Sequence, residues 1–184
     1  MRKFISIILI VLLVIGGLFI LTGCTDKEND NNSKGAKVDL TLDLGHVNNT
    51  KYNAQIGISD NDKVTEFDEE EPNFARIENE NENYVLDLTL DFESKDAYEQ
   101  FKTSAKENEL YEEKKFGKYD GYYSDDDGIY GYILLDSSDS TFNIFLNFYV
   151  YLFDENADSG DIKTIFDSSK IQNILNNIEF KNSK

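Results

Sequence analysis

The sequence predicts an α+β domain: a largely antiparallel sheet with two main helices packed on it, in the order strands, helix, strands, helix. Three observations carry that expectation. Residues 38–44 and 84–92 alternate apolar and polar side chains, the period of a strand with one buried face. Residues 94–108, and a segment from about 159 onward, instead repeat apolar residues at three- and four-residue spacing, as a helix does. Between these segments lie short runs of Asp, Asn, Ser and Gly, the residues of turns.

At the N-terminus, Arg2 and Lys3 precede an almost unbroken apolar run over residues 4–21, the order of a bacterial secretory signal. The run closes on Leu21, Thr22, Gly23 and Cys24. This is a lipobox pattern: a branched apolar residue, two small residues that admit a peptidase, and a thiol to carry diacylglycerol and palmitate-type chains. Cys24 is the only cysteine in the chain. The reading is a signal peptide over 1–23, cleaved before a lipidated Cys24 that anchors the protein to the outer side of the cell membrane. The competing reading is an uncleaved span, for which roughly 18 apolar residues are just enough. Residues 25–37 are polar and without periodicity, as suits a flexible tether over 24–37. A single domain is then expected over 38–184.

Within that domain, residues 38–44 form the first strand and 52–58 a less regular second one, with turns at 45–51 and 59–63. The acidic run 66–71 ends at Pro72, the only proline, and reads as a loop or strand edge. Residues 74–77 suit a short strand and 84–92 a longer one. The segment Asp87-Leu88-Thr89-Leu90-Asp91 repeats Asp39-Leu40-Thr41-Leu42-Asp43 letter for letter. The flanks differ, so two alternating strands built from the same few residues account for it better than a duplication. Ser94 is an N-cap candidate and Asp96 suits the positive helix end, with Ala97, Tyr98, Phe101 and Ala105 forming the buried stripe. Residues 114–135 are aromatic and read as strands joined by turns at Gly117, Gly121 and Gly128. The longest strand is 141–153, with Phe142, Ile144, Leu146, Phe148, Val150 and Leu152 on one side. The closing helix, capped by Asp158 or Ser159, uses Ile162, Ile165, Phe166, Ile174, Leu175 and Ile178.

The helix after an alternating strand, the segment Gly117-Lys118-Tyr119-Asp120-Gly121-Tyr122, the long apolar strand and the ending Ile174-Leu175-Asn176-Asn177-Ile178-Glu179-Phe180 together resemble the PsbP/Mog1-like family. The similarity covers about residues 84–180, and the tryptophan near the first strands of that family is absent. The resemblance implies a non-catalytic accessory or binding role and carries over no functional residue.

Charge narrows the partners. The chain holds 18 Lys+Arg against 36 Asp+Glu, a net charge of −18, which becomes −20 once Arg2 and Lys3 leave with the signal. Such a surface repels nucleic acid and anionic headgroups and favours a basic protein or peptide, or a divalent cation.

Chemistry is sparse. His46 is the only histidine, and no nucleophile elbow or zinc-ligand set accompanies it. Ser59-Asp60-Asn61 matches one element of penicillin-binding serine enzymes, whose S-x-x-K and K-T-G partners are missing, so it reads as a turn. Calcium is the one cofactor for which the sequence offers ligand-rich turns: Asp125 and Asp127 in one, Asp154, Asn156 and Asp158 in the other. Neither follows the EF-hand spacing. Aromatics at 122–123 and 130–132 alternate across the sheet, so some reach its outer face, either as a binding patch or beneath the second helix. The expectation is a membrane-anchored, non-catalytic binding module. The alternatives are a carboxylate-based anchored hydrolase and an acidic inhibitor of a basic exported enzyme.

Overall fold

A computed structural model of the chain describes residues 36–45, 50–65, 72–108, 111–125, 128–153 and 159–183. Cys24, the lipobox and residues 25–35 of the expected tether therefore lie outside the described residues, whereas Lys37, expected in the tether, opens the first strand opposite Gly57. The α+β class and the dominance of antiparallel sheet hold. The described elements run β1 (Lys37–Asp43), β2 (Lys51–Gly57), β3 (Lys63–Thr65), β4 (Phe74–Asn79), β5 (Tyr84–Ser94), α1 (Lys95–Asn108), β6 (Glu112–Phe116), β7 (Tyr119–Ser124), β8 (Ile129–Asp136), β9 (Phe142–Leu152), α2 (Ser159–Phe166), α3 (Ser169–Asn176) and β10 (Ile178–Ser183).

These strands make two antiparallel sheets. The larger has the order β3-β4-β5-β9-β8-β7-β6, and the smaller the order β1-β2-β10. At the centre of the larger, β5 and β9 pair from Tyr84↔Leu152 to Ser94↔Phe142 without a break. The alternation in both strands aims Leu86, Leu88, Leu90, Leu146, Phe148 and Val150 to one side, all buried. Burying each such side chain is worth about 2 kcal/mol. The small sheet supplies the opposite wall of this core with Val38, Leu40, Ala54 and Ile56, and α2 and α3 add Phe166, Ile171, Ile174 and Leu175. The two matching pentapeptides thus put Leu40, Leu88 and Leu90 into one core from different sheets.

On its other side the large sheet carries α1. Ser94 Oγ accepts the Ala97 N–H at 3.2 Å, starting the helix, and Asp96 lies in its first turn. Tyr98 packs against Phe145 with ring centroids 4.9 Å apart, while Phe101 meets Tyr122 and Tyr132 at 5.7 and 5.1 Å. The outward Tyr122, Tyr132 and Phe145 are therefore covered by the first helix, and Phe166 of the closing segment packs on the opposite side of the sheet against Tyr123 and Phe148. Hydrophobic spacing shows which stripe a helix buries, but not which face of the sheet receives it.

Three further expectations change. The closing helix is two helices: Ser168 adopts extended backbone (φ −62°, ψ 149°), and the Phe166 carbonyl accepts from Gln172 Nε2 at 2.6 Å instead of continuing the ladder. Beyond Asn177 the chain becomes a strand. Ile178 and Phe180 alternate, and β10 pairs along the edge of β2 from Ile178↔Ile56 to Ser183↔Lys51, with Phe180 stacked 6.1 Å from Tyr52. Lastly, Gly121 lies inside β7, not in a turn, because a Cβ there would meet the Tyr132 carbonyl at 2.5 Å and the Phe116 ring at 2.9 Å.

Gly117 does make a turn, between β6 and β7, with φ +60°. Its N–H donates to Asn176 Oδ1 at 2.7 Å, and a Cβ would come within 2.3 Å of the Asn176 carbonyl oxygen. Gly117→Ala should thus cost at least about 2 kcal/mol from left-handed strain and displacement of α3. Gly57→Ala, with nothing within 4 Å of the added atom, should stay near neutral. Urea unfolding of the two variants checks the contrast, and equal midpoints would contradict the packing described.

Candidate functional site

The outward face of the large sheet is laid out in rows by the strand register. One row runs Phe74, Thr89, Asn147, Tyr132, Tyr122, Glu113, and the next Arg76, Asp87, Tyr149, Tyr130, Ser124. Helix α1 covers the Tyr122 and Phe145 end of this face. Among the described residues no helix packs on the part carrying Thr89, Tyr149 and Tyr151. Tyr149 is 38% exposed and stacks on Tyr151 at 5.1 Å, and Phe153 just beyond is 49% exposed. The result is a strip of aromatic rings, hydroxyls and amides beside the helix.

Ion pairing fixes one border. Arg76 Nε and Nη2 donate to the two carboxylate oxygens of Asp87 at 2.6 and 2.8 Å, and the guanidinium sits 5.9 Å from the Tyr151 ring. The bidentate bond to Asp87 holds the Arg76 pKa above its ordinary value despite partial burial. The other border is a tyrosine cluster. The Tyr111 and Tyr130 hydroxyls share a short hydrogen bond, and Tyr122 donates to Glu113 at 3.1 Å. Burial, then that bond to Glu113, pushes Tyr122 up to about 12, and burial pushes Tyr98 up to about 12 as well.

Where α1 leaves the sheet, a cleft of about 250 Å³ opens between its first turns and the end of β5. Tyr98, Phe101 and Phe145 give it aromatic walls, Asn147 faces it from β9, and Asp91 and Glu93 supply carboxylates from β5. Each carboxylate accepts one local backbone bond, Asp91 from the Phe92 N–H at 2.7 Å and Glu93 from the Ser94 N–H at 2.8 Å. Among the described residues neither forms an ion pair, so negative charge stands at the mouth. A wider, shallower groove of about 540 Å³ near β10 has Lys118, Lys181 and Asp136 on its rim and mixes both signs.

The residues singled out from the sequence fall mostly elsewhere. Leu21, Thr22, Gly23 and Cys24 lie outside the described residues, as do His46, Asp127, Asp154, Asn156 and Asp158. Of the five calcium candidates only Asp125 is described, exposed just past the end of β7. Among the described residues no three of His, Cys, Asp and Glu are grouped to hold a metal. Ser59, Asp60 and Asn61 precede Asp62 in a turn of structural character. Asp62 accepts from the Ser59 N–H, Asn79 Nδ2 and the Tyr84 hydroxyl at 2.9, 2.6 and 2.8 Å. The buried polar residues among those described are Thr50, Asn79, Ser124 and Asn143, and none is a carboxylate. No described helix is long and apolar enough to cross a membrane.

Sequence reasoning missed Asp91, Glu93 and Asn147 as site residues. The available signal was two acidic residues on the polar side of a strand, immediately before a helix cap. No protein-family model matches the chain, and no curated protein or solved structure matches it.

The raised tyrosine pKa values have a definite sign. Tyr98 and Tyr122 titrate near 12 when folded and near 10 when unfolded, so their stabilisation is complete below pH 10. It is lost as pH rises through about 12. Folding free energy should therefore fall steadily above pH 10, with delayed growth of tyrosinate absorbance in the folded protein. A Tyr122→Phe variant should remove one late-ionising step. Simultaneous ionisation of all tyrosines near pH 10 would contradict the cluster's burial.

Proposed function

We propose that the protein is a non-catalytic binding module, held at the outer face of the cell membrane by a lipid on Cys24, whose helix-free strip recognises basic proteins or peptides. The observation that carries the reading is the exposed aromatic surface around Tyr149 and Phe153, which continues along β9 to Asn147, a lining residue of the cleft that Asp91 and Glu93 border. Aromatic faces attract cations through their quadrupoles and offer apolar area to the stems of Lys and Arg. The chain's net charge of −18 adds long-range attraction for a basic partner. Of the β5 carboxylates, Asp87 lies in the strip but is neutralised by Arg76, and Asp91 stands further along the strand at the cleft.

The anchor rests on the sequence: a basic start, an apolar run and the order Leu21-Thr22-Gly23-Cys24. The polar residues 24–35 then serve as a tether that lets the strip meet partners away from the lipid surface. The resemblance to the PsbP/Mog1-like family, in which accessory roles predominate, points the same way. An inhibitor of a basic exported enzyme is the special case in which the partner is an enzyme.

Two measurements check this reading. Cells fed a labelled fatty acid should label the protein, and Cys24→Ala should abolish that label; persistent labelling would contradict the anchor. Full-length protein in neutral detergent should bind arginine- and lysine-rich peptides with an affinity that falls steeply between low and physiological salt. Tyr149→Ala should weaken that binding by about 3- to 10-fold, the scale of one partly exposed aromatic contact. Unchanged binding would remove the strip from the account.

A further inference from the structure

We propose that the cleft between α1 and the end of β5 receives one arginine side chain of the basic partner. The proposal rests on the preceding reading of the strip and names the group that the strip selects. Size comes first. At about 250 Å³ the cleft falls below the usual range for drug-sized ligands and suits a single long side chain. Its lining combines aromatic rings with carboxylates and an amide. The rings of Tyr98, Phe101 and Phe145 form a wall against which a three-carbon stem and a flat guanidinium can lie. Tyr98 already holds one cation, the Lys102 ammonium at 4.9 Å from the ring centroid, itself paired with Glu99 at 2.5 Å.

Hydrogen bonding selects arginine over lysine. Asp91 and Glu93 each use one carboxylate oxygen on a neighbouring backbone N–H and keep the other for a ligand. Asn147 adds an amide at the same cleft. A guanidinium presents five N–H donors in a rigid fork and can serve several acceptors at once while stacked on a ring. An ammonium is a compact, strongly hydrated point charge, and it gains less from an aromatic wall of this kind. Asn147 and Tyr132 line the cleft and lie one row from Tyr149 and Tyr130 of the strip, so a peptide lying on the strip can reach the cleft with one side chain.

The test uses the full chain in neutral detergent micelles and Gly/Ser-spaced peptides bearing arginine, lysine or citrulline at the same positions. Calorimetry should give roughly tenfold tighter binding for arginine than for its neutral isostere citrulline, and several-fold tighter than for lysine. Asp91→Asn and Glu93→Gln should each weaken the arginine peptide about 3- to 10-fold. Both should also reduce the arginine-to-lysine ratio. Ala97→Leu, which fills the cleft from the helix side with a good helix former, should abolish that ratio with an unchanged circular dichroism spectrum. Tyr149→Ala should weaken both peptides equally and leave the ratio intact. Equal affinity for arginine and lysine, or an arginine preference that survives Ala97→Leu, overturns the cleft assignment while the wider reading stands. Failure of every basic peptide to bind overturns both.

Discussion

The pairing of β5 with β9 is the constraint from which the rest of the domain follows. Eleven consecutive residue pairs, Tyr84↔Leu152 to Ser94↔Phe142, join the two longest strands at the middle of the seven-stranded sheet. A side chain on a strand can face only one of two sides, so this single register decides what every neighbour meets. Shifting it by one residue would send Leu86, Leu88 and Leu90 outward and bring Asp87, Thr89 and Asp91 into the core. The cost of burying those polar groups unpaired makes such a slip untenable. With the register fixed, β4 and β8 pair on either flank, and the small sheet with α2 and α3 closes over the leucine side.

What remains is the outward side, and its two halves differ. Helix α1 begins at the end of β5, so its start is tied to that strand, and its stripe of Tyr98, Phe101 and Ala105 settles on Tyr122, Tyr132 and Phe145. The fourteen-residue helix packs at the Tyr122 and Phe145 end, and among the described residues no helix lies over the rows of Tyr149 and Tyr151. The uncovered half is not simply polar, as a solvent-facing sheet surface would be. It combines stacked rings, a bidentate Arg76–Asp87 pair and the carboxylates at the cleft. Surface of this composition, at the border between a helix and an open sheet, is suited to a partner that is both apolar and positively charged.

Much of the architecture was legible in the sequence. Strict alternation identified β1, β5 and β9, and Ser94 with the spacing of Tyr98, Phe101 and Ala105 identified α1. Those signals are local, as are the interactions that produce them. The misreadings concern long-range contacts. Gly121 reads as a turn residue until the Phe116 ring and the Tyr132 carbonyl are seen to need its missing Cβ. Ile178 and Phe180 fit a helix until the edge of β2 offers backbone partners. The site was harder still. Asp91 and Glu93 look like ordinary solvent-facing strand residues, and Asn147 like one polar position in a long strand. Only the register of β5 with β9 and the start of α1 bring them to one cleft.

The central claim is that basic partners bind on the helix-free strip and not elsewhere on an acidic surface. Hydroxyl-radical footprinting of the full chain, with and without an arginine-rich peptide, tests it most directly. Binding should protect Tyr149, Tyr151 and Phe153 while leaving the modification rates of Tyr119 and Phe180, beside β10, unchanged. Equal protection at both places, or protection at Tyr119 and Phe180 alone, would contradict the account.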